Sequence, residues 1–143
     1  MASILCTVAT PTRELFSGEI HYASVPSIEG SYGVLPGHEM LVALHTGGLL
    51  TLQIDEAGTD KREYLVFNGA SEIIQDRLTV LGRYGIPVDE IKADEVSARA
   101  SELRSTIADL EGKDNAQVAV DLEAYRKELE WCELELRTVG AQA

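Results

Sequence analysis

The hydrophobic pattern of this chain changes period once, at Pro87, and that single change limits the folds open to it. Before it, apolar residues alternate over short runs. In "GLLTLQIDE", Leu50, Leu52 and Ile54 share one face, and Thr51, Gln53 and Asp55 take the other. "EIHYASV" precedes this run, and "REYLVFN", "SEIIQ" and "RLTVLG" follow it closely. Turn residues punctuate the series at Gly18, Gly30, Gly37, Gly47–Gly48, Gly58, Asn68–Gly69 and Gly85. Many short alternating strands with regular turn signals predict a β-sandwich or barrel, each sheet burying one side.

After Pro87 there is no proline, and the only glycines are Gly112 and Gly140. Ala93, Val96, Ala100, Leu103, Ile107 and Leu110 fall at helical spacing. So do Val118, Leu122, Tyr125, Leu129, Cys132, Leu136 and Val139. Gly112 suits the end of the first helix, and Asp114 or Asn115 suits the cap of the second. The two stripes predict an antiparallel helical hairpin. The expected division is 1–87 for the all-β sandwich and 88–143 for the hairpin. Trp131 and Leu134 lie off the main stripe, so the second helix is expected to touch more than its partner, the chain's own sandwich being the first candidate.

With 143 residues the chain can bury roughly 68–70% of its unfolded surface and needs no covalent staple. Cys6 and Cys132 lie far apart, outside any CxxC or Cys/His pattern, and read as free thiols in a reducing compartment. No run approaches the ~20 apolar residues of a membrane span, and the N-terminus lacks the pattern of a signal peptide; a soluble protein on the cytoplasmic side is expected. The net charge of −12 and pI near 4.5 exclude a nucleic-acid binder and disfavour an anionic membrane surface.

Reactive chemistry is hard to find. The chain has no GxxxxGK[ST], GxGxxG or GxSxG pattern. His21, His38 and His45 are isolated from other metal ligands. Asp89–Glu90 and Asp94–Glu95 are neighbours that a helix points in different directions, and they read as first-turn acids. One stretch does raise a question. In "SIEGSYGVLPGHEML" (27–41), Val34 and Leu35 sit in a loop punctuated by Gly30, Gly33, Pro36 and Gly37. Either an aliphatic here plugs the end of the sandwich, or the loop presents an apolar surface to a partner.

That loop, with "LFSGEI" at 15–20, "GGLLTL" at 47–52 and "VDEIKADEVSARA" at 88–100, resembles the epsilon-subunit family of the F-type ATP synthase, over essentially the whole length. The resemblance implies a ten-stranded sandwich followed by the hairpin. It also implies a non-catalytic place in the rotor's central stalk, peripheral on the cytoplasmic face of a bacterial membrane. There the subunit would bind the gamma subunit and the polar loops of the c-ring, coupling proton flow to ATP synthesis. Membrane contact would come only through the complex. The partner-binding residues it implies are Gly30, Ser31, Tyr32, Gly33, Val34, Leu35, Pro36, Gly37 and His38. Gly30 and Gly37 would serve backbone geometry, and His38 would anchor the turn.

In many bacterial members of the family the hairpin is a movable regulator that reaches the alpha/beta hexamer when extended, and in some its compact form binds ATP. The resemblance requires no cofactor. The positions matching the nucleotide motif here are Asp89, Lys92, Arg99 and Arg126. Lys92 stands where the motif has arginine and cannot reproduce its bidentate fork, so weakened ATP binding is expected. Residues 89–143 carry 14 acids against 7 bases, and 121–137 carry six against three. Such an acidic helix should inhibit ATP hydrolysis weakly. The competing reading is a free-standing sandwich that binds a ligand and carries a helical appendage.

Overall fold

Residues 2–140 are described by the computed structural model. Alternation in the first half becomes eight strands: β1 (Ile4–Ala9), β2 (Glu14–Ile20), β3 (Tyr22–Val25), β4 (Tyr32–Val34), β5 (Leu41–His45), β6 (Gly48–Gln53), β7 (Lys61–Ile74) and β8 (Arg77–Pro87). The second half becomes α1 (Ala93–Glu111) and α2 (Ala116–Thr138). The chain divides into two compact units, Met1–Glu90 and Ile91–Ala143. The division falls three residues beyond Pro87, because a 3-10 turn at Val88–Glu90 stays with the strands. Glu90 there accepts a fork of two bonds from Arg13, at 2.9 and 3.1 Å.

The strands form a single continuous sheet in the order β2-β1-β8-β7-β6-β3-β4, with β5 added beside β7. Its two ends share one core. Ile4, Cys6 and Val8 of β1 pack in the same cluster as Ala23 and Val25 of β3 and Leu50 and Leu52 of β6. The sheet therefore folds over on itself into a sandwich. The fold happens within β7, which pairs with β6 from Lys61 to Val66 and with β5 from Gly69 to Ile73. Asn68, between these segments, has φ of +56° and no partner on β8, although the register is the same on both sides of it. It is a corner of the kind that passes a strand from one layer to the next.

Two expectations are corrected here. "REYLVFN" and "SEIIQ" are one 14-residue strand, because Asn68–Gly69 bends the chain without reversing it. A Cβ on Gly69 would stand 1.9 Å from the Leu81 carbonyl oxygen, so glycine serves close backbone approach and not a turn. The implied ten strands are eight continuous ones. β7 and β8 each supply a segment to both layers, and counting those segments separately gives ten.

The hairpin follows its stripes. Asn115 caps α2, its side-chain oxygen accepting from the Val118 amide at 2.9 Å. Gly112 ends α1 in a right-handed conformation, φ −85°. Ala100, Leu103 and Cys132 form a small apolar centre, flanked by Val96, Tyr125 and Leu129. Ion pairs cross between the helices at Arg99–Glu128, Arg104–Glu133 and Arg126–Glu111. Both cysteines are buried and free, with burial pushing the Cys6 thiol up to about 12 and Cys132 up to about 11. Trp131 is buried as well.

Candidate functional site

The end loop splits its two aliphatic residues. Val34 closes β4 opposite Ala23 and is fully buried in the sandwich core, whereas Leu35, the next residue, is 53% exposed. Val34 thus plugs the end of the sandwich, and the next residue faces outward. Pro36–Gly37 then form a turn that the His38 amide closes on the Leu35 carbonyl at 3.1 Å. Gly37 has φ +85°, as the third position of a type II turn requires. Its own amide donates to the Asp76 carboxylate at 2.6 Å.

Upstream, exposed Gly30 has φ +111° and Ser31 is exposed beside it. A Cβ on Gly33 would meet the Tyr22 hydroxyl at 2.6 Å, so a larger residue there would have to displace that ring. Tyr32 is half-buried and shares a 2.7 Å hydrogen bond with the Ser71 hydroxyl, and burial raises its phenol above the usual range. The His38 ring lies beside that of Tyr32, and its Nδ1 donates to the Glu39 carbonyl at 2.7 Å. The sequence-predicted segment from Gly30 to His38 is thus one ordered tip, with Leu35 and Met40 as its exposed apolar residues.

A second surface escaped the sequence reading. Across the layer that contains β5, the register aligns Leu44, Ala70, Leu81 and Ala9 in one row. Leu44 is 60% and Leu81 49% exposed, and Ile28 and Val42 are exposed as well. Ile28 is held there by its amide, which donates to the Leu44 carbonyl at 2.9 Å. Between these side chains runs a groove of about 740 Å³, floored by Ala9, Gly69, Ala70 and Gly82. Arg83 is the one charged residue that lines it.

His45 is buried at the groove, with Nε2–H donating to the Leu81 carbonyl at 2.8 Å. Its Nδ1 has no hydrogen-bond partner among the described residues. Burial holds its pKa below the usual histidine value, so the ring is neutral at pH 7 and leaves the groove without an added charge. The exposed residues of "MLVALH" read as a continuous apolar run, and alternation alone does not reveal which of them face out.

Of the candidate nucleotide residues, Arg99 and Arg126 are engaged by carboxylates of the hairpin. Asp89 lies in the 3-10 turn of the first unit, and Lys92 is the N-terminal boundary of α1 without a side-chain capping bond. Arg99 gives Nε and one terminal nitrogen to Glu128, at 2.6 and 2.8 Å, and the other to Glu102 at 2.9 Å. These carboxylates hold its guanidinium pKa above the ordinary value. Arg126 donates to Glu111 at 3.2 Å. No group of metal-ligating side chains occurs among the described residues.

Residues 3–87 match the family model "ATP synthase, Delta/Epsilon chain, beta-sandwich domain". The ATP synthase epsilon chain of Granulibacter bethesdensis is 31% identical over 126 residues, covering 88% of this chain and 92% of that one. The ATP synthase epsilon chain of Rhodopseudomonas palustris (strain BisB18) is 29% identical over 126 residues, covering 88% and 91%. Among solved structures, the fold is similar to a chain of the Euglena gracilis mitochondrial ATP synthase, in a structure of OSCP, F1 and c-ring. The TM-score is 0.63 at 22% identity, covering 95% of this chain and 82% of that one. A chain from the central stalk and c-ring of the Tetrahymena thermophila enzyme gives 0.52 at 14% identity, covering 64% and 71%.

Proposed function

Because the chain belongs to the ATP synthase delta/epsilon-chain family, we propose that it is a non-catalytic central-stalk subunit that couples proton flow through the c-ring to ATP synthesis. The observation that carries this reading is the groove with its exposed rim of Ile28, Leu44 and Leu81. A contiguous apolar patch of this kind marks a protein-binding surface. The floor of alanine and glycine lets a partner's backbone approach closely, and the gamma subunit is the partner we assign to it. The tip around Leu35 and Met40 is assigned to the polar loops of the c-ring.

No helix among the described residues is long and apolar enough to cross a membrane, which suits a peripheral subunit held through the complex on the cytoplasmic face. The hairpin is assigned a regulatory role, reaching the alpha/beta hexamer when extended. Its acidic surface favours weak inhibition there. The free-standing ligand-binding alternative is not favoured, since the relatives align over nearly their whole length.

Co-purification tests the reading. The native chain should capture the gamma subunit, and Leu44→Asp together with Leu81→Asp should abolish capture without unfolding the chain, as both residues are exposed. Full retention of gamma by the double variant would overturn the assignment of the groove.

A further inference from the structure

Gly37 occupies the third position of the Leu35–His38 turn, and the turn's own closing bond uses the His38 amide, not the Gly37 amide. That free amide meets the Asp76 carboxylate at 2.6 Å, a charge-assisted contact between positions 39 apart in sequence. Asp76 is itself held from two directions. With Gln75 it forms the two-residue connection between β7 and β8, closed by the Ile74–Arg77 pair. Both residues have positive φ, +49° and +61°, as the tight turns of twisted hairpins demand. The Asp76 carbonyl also accepts from the Leu5 amide at 2.9 Å, which ties the turn to the start of β1. The carboxylate therefore stands on a base fixed by the sheet and grips a loop whose flanking residues, Leu35 and Met40, are exposed.

We propose that Asp76 is the positioning residue of this end of the molecule, joining the β7–β8 turn and the 33–40 segment into one platform that meets the polar loops of the ring. The proposal rests on the assignment of the tip to the ring given under Proposed function. In it, Leu35 and Met40 supply contact, and Asp76 supplies their placement. The Tyr32–Ser71 bond and the pairing of β4 and β5 anchor the two ends of the segment, and the Asp76 grip is the tie that reaches its turn directly.

The test compares the native chain with Asp76→Ala, Asp76→Asn and Leu35→Asp in the whole complex, in inverted membrane vesicles. Protons pumped per ATP hydrolysed is the functional readout. Amide hydrogen exchange at Gly37 in the purified chain is the local one. Asp76→Ala should speed exchange at Gly37 by about tenfold, the size of one lost charge-assisted bond. It should also lower the pumping ratio several-fold with the chain still folded, while alanine at a φ of +61° lowers the thermal midpoint by several degrees. Asp76→Asn retains an acceptor oxygen and should keep most of the pumping ratio. If Leu35→Asp lowers the ratio and Asp76→Ala does not, the platform is wrong and the ring-facing tip stands. If Leu35→Asp leaves the ratio intact, the ring-facing tip itself is wrong, and the proposal falls with it. Equal losses for Asp76→Ala and Asp76→Asn would also overturn it, because the acceptor would then not be the operative feature.

Discussion

Val34 and Leu35 are adjacent, similar in chemistry and opposite in environment, so truncating each in turn should separate folding from partner contact. Val34→Ala removes two buried carbons. The transfer loss is about 1.6 kcal/mol, and the cavity left among Ala23, Leu50 and the other core residues adds ~1 kcal/mol. A total of about 2.5 kcal/mol lowers the melting temperature of a unit this size by roughly 10–20 °C. Leu35→Ala trims an exposed side chain and should stay within about 0.5 kcal/mol of native. Differential scanning calorimetry of the purified chain reads both values. In the assembled complex the ranking should reverse, with Leu35→Ala reducing the pumping ratio and Val34→Ala leaving it near native wherever the subunit still folds. The reasoning fails if Leu35→Ala destabilises as much as Val34→Ala, or if Val34→Ala costs less than about 1 kcal/mol.

Glu135 is buried on α2, and burial raises its carboxyl to about 7 from the ordinary 4.5. The fold favours the protonated form, so this stabilisation is complete below about pH 4.5 and is lost as pH rises through about 7. Glu135→Gln should therefore match the native chain at pH 4 and exceed its stability at pH 8, by up to about 3 kcal/mol in urea titrations; equal stability at pH 8 would show the carboxyl is not held neutral. Arg99 is engaged by Glu128 and Glu102, so calorimetric titration with ATP should find binding weaker than millimolar and unaffected by Arg99→Ala. Tight binding that Arg99→Ala abolishes would refute this. Gly69→Ala would drive a methyl into the Leu81 carbonyl, and it should cost more than about 3 kcal/mol or prevent folding, as circular dichroism would show.

What the sequence discloses follows the range of its signals. The change of period at Pro87 separates strands from helices because alternation and helical spacing are local. Asn115 is visible as a cap for the same reason. Asn68–Gly69 misleads because one dipeptide chemistry serves two geometries. A left-handed residue followed by glycine makes a hairpin turn or, as here, a strand corner, and only the distant Leu81 carbonyl distinguishes them. The groove is assembled from separate stretches around residues 9, 28, 44, 69 and 82, so no window contains it. The same holds for the tie between Gly37 and Asp76 and for the clasp of Arg99 by Glu128. Each joins residues far apart along the chain, and nothing in the local pattern of either partner records the other.

β7 and β8 run through both layers of the sandwich as unbroken backbone. In a stack of separate sheets, a sideways force would be resisted by side-chain packing and by flexible connecting loops. Here such a force has to stretch two covalent chains that turn the corner together. In the stalk role proposed above, such a part would resist shear through its backbone as well as through its core. Stiffness and fold are then set by the same few residues at the corner.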